Sequence, residues 1–550
     1  MIFPTNNHPE SAILPRKVIV LSGPVCSGKT TLAKQLAERF QAHHLRTSDC
    51  ILAARPNVKR EREAMQLAGE ALDREYRGQW VLKAFQSIEG IDGDNHVIVL
   101  DSARIQDQID AVKNAYGNRV IHIHLTAPAG VLSTRYKDRH ADDFQELKSY
   151  QDVLKNKTEA DVPKLAHTAD IEISTDRSDP EGVLLRAASH AGLFGKDYGR
   201  LVDVIVGGQF GSEGKGQVSA FLAPEYDALL RVGGPNAGHT VSEAAGSYTF
   251  HHLPSGTRAN THALILLAPG AVARKTQLLN EIAECNLEYD RLVIDPQVRL
   301  ISDEEVAAEA ELQKAMGSTG QGVGQATARR ILERDSPRRL CNIAENDKDL
   351  KPYVHQVIDR LDLLFARGNR VFLEGTQGTG LSLYHGMYPY VTSRDTTVAG
   401  CLAEAGISPS RVRKVIMTCR TYPIRVESPA GGTSGAMTNE IDWKVVSKRS
   451  GIPLEELDAA ERTSTTNRKR RVGEFDWSQL RRSASLNAPT DIALTFMDYL
   501  DKGNRDARRV EQLAGPTLQF VEEVERISMA PVSLMSVRFH SRGIIDRRRW

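Results

Sequence analysis

The chain is short of the features that would make it secreted, membrane-bound or globally charged. It has six cysteines in 550 residues (Cys26, Cys50, Cys285, Cys341, Cys401 and Cys419). They form no CxxC pair and have no neighbouring metal-type histidines, which excludes a disulfide framework or zinc site and predicts reduced thiols. No apolar run approaches the roughly 20 residues needed to span a bilayer. The first fifteen residues hold no apolar segment of the signal-peptide kind, so a cytoplasmic protein is expected. Seventy-one basic side chains against seventy acidic ones leave a formal charge of +1, so no global field points to nucleic acid or a membrane. The closing Arg547-Arg548-Arg549 run reads as a solvated basic tail.

Hydrophobic residues at 41% and charged residues at 26% are enough for sizeable cores, and the length calls for two or three domains. Residues 1–15 read as a disordered tail. Val18–Ser22 reads as a strand that runs into Gly23-Pro-Val-Cys-Ser-Gly-Lys-Thr30, and Leu32, Leu36 and Phe40 then give a helical stripe. This is GxxxxGK[ST] in a strand–loop–helix setting. Gly23 and Gly28 let backbone N–H groups close on phosphate, Lys29 reaches the β- and γ-phosphates, and Thr30 offers a hydroxyl to Mg²⁺. Further strands are expected at Val97–Asp101, Val120–Leu125 and Ile171–Ser174, separated by helices, which implies a parallel α/β sheet. Asp101 ends one of them, where either a Mg²⁺-binding carboxylate or a plain turn residue is found. Residues 16–195 resemble the P-loop nucleoside/nucleotide kinase group. Asp49 loosely matches its acceptor-binding acidic residue, and Arg135 and Arg139, expected i, i+4 on a helix, loosely match its lid arginines; surface salt-bridging is the rival reading for both arginines.

A Gly-rich stretch from Ser189 to Arg200 reads as a linker, with 196–200 between the domains. A new strand, Leu201–Val206, then enters Gly207-Gly-Gln-Phe-Gly-Ser-Glu-Gly-Lys-Gly216. Gly211, Gly214 and Gly216 allow close backbone approach and Lys215 supplies charge for phosphate, but the spacing is no standard phosphate loop. Six more motifs follow: Gly233-Gly-Pro-Asn-Ala-Gly-His-Thr240, His251-His-Leu-Pro-Ser-Gly256, Gly317-Ser-Thr-Gly-Gln-Gly-Val-Gly324, Glu374-Gly-Thr-Gln-Gly378, His385-Gly-Met-Tyr-Pro-Tyr-Val-Thr-Ser393 and Ser464-Thr-Thr-Asn-Arg-Lys-Arg-Arg471. In this order and spacing, residues 201–550 closely resemble adenylosuccinate synthetase.

The resemblance implies an α/β domain with a central, mostly parallel sheet, and a homodimer. It implies a ligase that uses a nucleoside triphosphate to join L-aspartate to C6 of a purine monophosphate through a 6-phosphoryl intermediate. Such chemistry needs removal of the N1 proton, stabilisation of charge on O6 and help for the departing phosphate. By the resemblance His239 assists phosphoryl transfer, Gln377 stabilises the O6 anion, Lys215 binds phosphate and the Gly238 carbonyl coordinates Mg²⁺. Asn236, Thr240, Thr319 and Thr392 match nucleotide-binding positions. Thr466, Arg468 and Arg470 match the loop that clamps aspartate, where guanidinium forks suit carboxylates.

Three departures stand out. The family's basic aspartate is replaced by Ser212, whose hydroxyl cannot take the N1 proton unaided but leaves room beside N1 for an exocyclic amino group. That change looks like the viral and archaeal branch acting on dGMP, so IMP and dGMP are both candidate substrates. The guanine-reading TKxD segment is Thr495-Phe-Met-Asp498; Asp498 remains, while Phe496 or Met497 offers only apolar contact, so ATP or dATP stands beside GTP as donor. The segment after Gly324 is short, and Arg329 or Arg330 is the candidate for crossing a dimer interface to the partner's nucleotide. The alternatives to an active ligase fused to a kinase are a nucleotide-binding sensor that lost its chemistry with the aspartate, or a kinase beside an inactive ligase domain.

Overall fold

The structure, a computed structural model, describes residues 15–86, 96–138, 149–194, 199–243, 246–334, 342–429, 432–463, 467–540 and 543–550. Two compact units divide the chain, Met1–Lys196 and Asp197–Trp550. No helix among the described residues is long and apolar enough to cross a membrane. None of the described cysteines is in a disulfide; Cys341 lies outside the described residues.

The first unit is built on five parallel strands in the order His43–Arg46, Val97–Asp101, Lys17–Ser22, Val120–Thr126, Ile171–Ser174. Alternation along Lys17–Ser22 explains how one strand serves two layers. Ile19 and Leu21 pack with Leu32 and Leu36 of helix Lys29–Phe40, whereas Val18 and Val20 pack with Trp80, Val81 and Phe85 on the other face. A strand buried on both faces reads as a continuous apolar run, as this one does.

The second unit carries nine strands, ordered Leu292–Ile294, Leu264–Leu267, Ala228–Arg231, Val371–Glu374, Val202–Gly207, Val412–Arg420, Asp491–Thr495, Val532–Ser536, Ile544–Asp546. Every neighbouring pair is parallel except the last, which is antiparallel. Val202, Val204 and Val206 enter one core and Ile205 the other. A hairpin, His239–Glu243 with Gly246–Phe250, and a small antiparallel sheet of Ile424–Val426, Arg470–Gly473 and Glu440–Ile441 stand beside it. The glycine-rich loops after Ser22, Gly207, Arg231 and Glu374 leave the carboxyl ends of parallel strands, the edge where open α/β sheets bind ligands.

Two expectations are corrected here. Of the terminal arginines Arg548 departs from a solvated tail, pairing with Glu225 and Asp546 at 2.5 and 2.7 Å and lying over the Trp550 ring, whereas Arg547, within reach of Glu525, and Arg549 are exposed as expected. The carboxylates of neighbouring segments give Arg548 partners that a sequence count cannot locate. Met497 offers no contact to a nucleotide, because its side chain is fully buried in the main core.

Strand Val120–Thr126 places His122 and His124 inside the first unit, where both rings meet the Ser22 hydroxyl, at 2.6 and 2.8 Å. Both rings are almost inaccessible to water, which disfavours their charged forms. Burial pulls both pKa values down to about 4. The folded values lie below the ordinary 6.5, so the unfolded chain takes up protons first. The stability these rings contribute is complete above pH about 6.5 and is lost as pH falls towards 4, on the order of 3 kcal/mol for each group. We expect the unfolding transition of the first unit to drop steeply between pH 6.5 and 4, and a His122→Gln/His124→Gln chain to drop much less. Parallel pH curves for the two proteins in thermal melts would rule this account out.

Candidate functional site

In the first unit the strand Lys17–Ser22 ends where Gly23 turns. A Cβ on Gly23 would lie 2.2 Å from the Leu125 carbonyl oxygen, so only glycine brings the loop this close to the neighbouring strand. Gly28, with φ of 95°, caps helix Lys29–Phe40 and leaves its first N–H groups free to face an anion. Lys29 is buried and donates to the carbonyls of Gly23 and Pro24 at 2.8 and 2.7 Å. Burial, reinforced by Arg104, lowers its pKa to about 7, against the pull of Asp101.

Asp101 accepts hydrogen bonds from Ser102, at 2.8 Å, and from Thr30, and meets Nε2 of His44 at 3.1 Å. Burial pushes its carboxyl up, but His44, Lys29 and the two hydroxyls outweigh that and hold it below the ordinary carboxylate range. The Thr30 hydroxyl and the Asp101 carboxylate are therefore adjacent hard oxygen donors of the kind Mg²⁺ takes together with nucleotide phosphates. Arg135, on helix Ala129–Lys137, donates to the Thr175 hydroxyl and carbonyl at 2.9 and 2.8 Å and to the Cys26 carbonyl at 3.4 Å, which brings it over the phosphate loop. Arg139 lies outside the described residues, and Asp49 is exposed. Arg104, paired with Glu159 at 2.6 Å, went unnoticed in the sequence because nothing there marks it as facing Lys29.

In the second unit a cavity of about 810 Å³ opens at the carboxyl ends of the central strands. Gly211, Ser212, Gly214, Lys215, Gly216, Asn236, Gly238, His239, Thr240, Thr319, Gln377, Thr392, Arg470 and Asp498 all line it. The expected site residues thus converge, apart from three in this unit. Arg330 donates to the Pro269 and Gln297 carbonyls and does not line the cavity; nor does the half-buried Arg468, while Thr466 lies outside the described residues.

The phosphate-type loop is tied from within. Glu213 accepts from the N–H groups of Gln209 and Gly211 at 3.1 and 2.7 Å and pairs with Lys215 at 2.6 Å, both side chains being essentially inaccessible. The loop leans on Gly375–Gly378 from the next strand. A Cβ on Gly207 would stand 2.5 Å from the Gln377 carbonyl oxygen and 2.7 Å from Glu213, so the two loops meet backbone to backbone. Gln377 has φ of 63°, a left-handed conformation that costs a side-chain-bearing residue about 1 kcal/mol. Its Nε2 donates to the Thr392 hydroxyl at 2.7 Å.

His239 opens the strand His239–Glu243 and has its Nδ1 on the Glu374 carboxylate, which also accepts from the Ser255 hydroxyl and N–H at 2.5 and 2.8 Å, with Arg231 3.9 Å away. Burial, with Arg231 next, lowers the imidazole to about pKa 4 against the pull of Glu374, so the ring is neutral at pH 7 with its Nδ1 proton on the carboxylate. Glu374 and Ser255 stood in quoted motifs but were not singled out; a carboxylate closing a buried strand, as at Asp101, was the available signal. Asp498 is buried beside Arg505 at 3.0 Å, and burial raises its pKa to about 6 despite that partner. Among the described residues, seven that line the cavity carry a buried polar atom with no hydrogen-bond partner: Asn236 Oδ1, His239 Nε2, Gln377 Oε1, Arg425 Nη1, Arg470 Nε, Asp498 Oδ1 and Arg538 Nε. Buried polar atoms are ordinarily satisfied, so such a concentration marks a place where a polar ligand completes the structure. No cluster of three or more metal-type side chains occurs among the described residues. Beside the phosphate-type loop the chain offers hard donors such as the Gly238 carbonyl and the Ser212 hydroxyl, which suit Mg²⁺ where phosphates supply further oxygens.

Comparison with known proteins agrees with this geometry. Residues 204–348 and 335–505 match the adenylosuccinate synthetase family, and residues 18–158 match an AAA domain family. The adenylosuccinate synthetase of Thermococcus onnurineus is 35% identical over 356 residues, covering 63% of this chain and 98% of that protein. That of Methanocaldococcus jannaschii is 32% identical over 356 residues, covering 63% and 96%. Among solved structures, the fully ligated Plasmodium falciparum enzyme shares the fold at 20% identity, with a TM-score of 0.55 over 64% of this chain and all of that one. The cyanophage S-2L succinoaminodeoxyadenylate synthetase, bound to dGMP and to dATP as an energy donor, is 26% identical, with a TM-score of 0.54 over 64% and 96%. The chain therefore belongs to the adenylosuccinate synthetase family, as a ligase that carries a P-loop domain matching an AAA domain family ahead of its ligase domain.

Proposed function

We propose that the second unit joins L-aspartate to C6 of a purine nucleoside monophosphate, dGMP in preference to IMP, at the expense of ATP, dATP or GTP. The convergence of His239, Gln377, Lys215 and Ser212 on one cavity with Asn236, Thr319, Thr392 and Arg470 carries this reading. A C6 oxygen leaves poorly until it is phosphorylated, and each step has a matching group. Gln377, locked by Thr392, offers its amide to the developing O6 anion. His239 is neutral until phosphate charge arrives; that charge, with Glu374 behind the ring, favours the imidazolium that can donate to a phosphoryl oxygen. Lys215, shared with Glu213, faces the phosphate, and Arg470, with Arg468 and Thr466 of the same loop, receives the carboxylates of aspartate. Ser212 leaves space for a 2-amino group where a longer side chain would crowd it, and the likeness to the dGMP-bound cyanophage enzyme supports the same choice. Asp498 remains to contact the donor base, with Phe496 beside it. Mg²⁺ would bind at the Gly238 carbonyl with the phosphates and, in the first unit, at Thr30 and Asp101, where it draws charge from the transferring phosphoryl group. A homodimer, with Arg330 reaching the partner's nucleotide, completes the reading. In the first unit Gly23, Gly28, Lys29 and Thr30 bind a nucleoside triphosphate for phosphoryl transfer, and the two sites draw on a common nucleotide pool.

Incubating the protein with dGMP or IMP, aspartate and each triphosphate, with detection by mass spectrometry, is expected to yield a succinylated product fastest from dGMP. Absence of orthophosphate release with every combination would sink the proposal. Substitution separates the sites: Lys215→Met is expected to cut aspartate-dependent phosphate release by ~10² or more, while Lys29→Met leaves it within about twofold. Glu374→Gln is expected to lower kcat by roughly 10²-fold with little change in the KM for aspartate, since it unbalances the imidazolium formed during transfer. A normal kcat in that variant would remove His239 from the mechanism.

A further inference from the structure

One buried cluster at the cavity wall has no part in the chemistry above. Arg420 ends the strand Val412–Arg420 and is 1% exposed. Its Nη2 donates to Glu461 Oε1 at 2.7 Å, its Nη1 to the Ser212 carbonyl at 3.3 Å, and its guanidinium lies 4.0 Å over the Phe496 ring. Glu461, 3% exposed, also accepts from the Tyr499 hydroxyl at 2.7 Å and from Arg470 Nη1 at 3.1 Å. Backbone bonds make Glu461 and Arg470 neighbours at the foot of a hairpin: the N–H of Arg470 donates to the Glu461 carbonyl at 3.2 Å, and Arg462 bridges to Lys469. Burial raises the Glu461 carboxyl, but Arg420 and Arg470 outweigh it and bring the pKa to about 2, so the group is charged at any working pH.

A buried ion pair is seldom a net source of stability compared with a packed apolar pair, so its retention asks for another reason. Here the reason is geometric. Arg470 is held back by one Nη while its Nε, buried at the cavity wall, has no partner among the described residues. A guanidinium fixed along one edge offers the other as a preformed fork for a carboxylate. Arg420 connects the same carboxylate to the Ser212 peptide of the phosphate loop and to the Phe496–Tyr499 segment.

We infer that Arg420 and Glu461 are positioning residues for the amino-acid substrate: they set the Arg470 fork and tie its orientation to the phosphate loop and to the Phe496–Tyr499 segment. This rests on the reading of Arg470 as a carboxylate-binding residue.

Steady-state kinetics with dGMP or IMP, aspartate and a triphosphate test it on the full chain. Glu461→Gln is expected to raise the KM for aspartate by ~10-fold or more, leaving the monophosphate KM and kcat within about threefold. Tyr499→Phe, which removes one donor without a charge change, is expected to shift the aspartate KM in the same direction by about threefold. Arg420→Met is expected to raise the aspartate and triphosphate KM values together, and Arg420→Lys to restore part of the loss. A folded Glu461→Gln protein with the wild-type aspartate KM, or one in which all three KM values rise equally, overturns the inference; if that variant does not fold, an unchanged aspartate KM in Tyr499→Phe does so. Wild-type protein that makes product from no amino acid overturns the aspartate reading instead.

Discussion

The ligase site depends on one constraint: a lysine and a glutamate, two residues apart, must be buried together under a glycine loop. Removing two charges from water costs several kcal/mol each, and only close pairing with further hydrogen bonds offsets that cost. Glu213 meets the demand by taking Lys215 and two backbone N–H groups of its own loop. The consequences spread outwards. Glu213 occupies the space a side chain on Gly207 or Gly378 would need, so these two loops are glycines where they touch it. That contact sets Gln377 opposite the loop, and Gln377 in turn reaches Thr392. Glu213 is also withdrawn from proton transfer, although it adjoins Ser212. The loop thus keeps a carboxylate for architecture in a place where the chemistry still wants one.

A second buried carboxylate organises the opposite wall. Glu374 holds His239 and Ser255 with Arg231 nearby, and the balance of burial against these partners leaves the imidazole neutral. An imidazole kept neutral by burial but backed by a carboxylate is poised: little is needed to charge it, and arriving phosphate supplies that little. With Ser212 unable to act as a base, the proton inventory of this site differs from that of a site with an aspartate there, and His239 has in Glu374 a partner that can balance a positive charge.

Much of this was legible in the residues, and the parts that were not share a physical cause. A strand buried on both faces announced itself as an apolar run, so Val97–Asp101 fell where expected, while Ile171–Ser174, at the sheet edge with Glu172 exposed, was marked by its alternation. The edge strand His43–Arg46 did not, because its four residues are only half-buried and two are histidines. Glycine-rich loops after strands marked the cavity, since close backbone approach leaves a mark in composition. Ion-pair partners leave none: Arg420 and Glu461, forty-one positions apart, meet through sheet order and hairpin placement that no local pattern encodes. Arg330 shows the reverse, a motif-matched residue whose side chain goes to the Pro269 and Gln297 carbonyls and away from the cavity.

The two phosphate-type loops make the same point by contrast. Lys29 rests on the carbonyls of Gly23 and Pro24, dipoles that give only partial compensation for burial, and its pKa falls to about 7. Lys215 rests on a full negative charge. A phosphate arriving at Lys29 meets a cation short of a counterion and supplies what the loop lacks. One arriving at Lys215 meets a pair already neutral, and must either share the lysine with Glu213 or add charge to a closed site. Net binding at the second loop therefore has to come from elsewhere around the cavity, from the helix end at Lys215–Leu222, from His239 as it takes a proton, and from the arginines on the far side. A loop of this kind binds phosphate well only when the remainder of its site contributes.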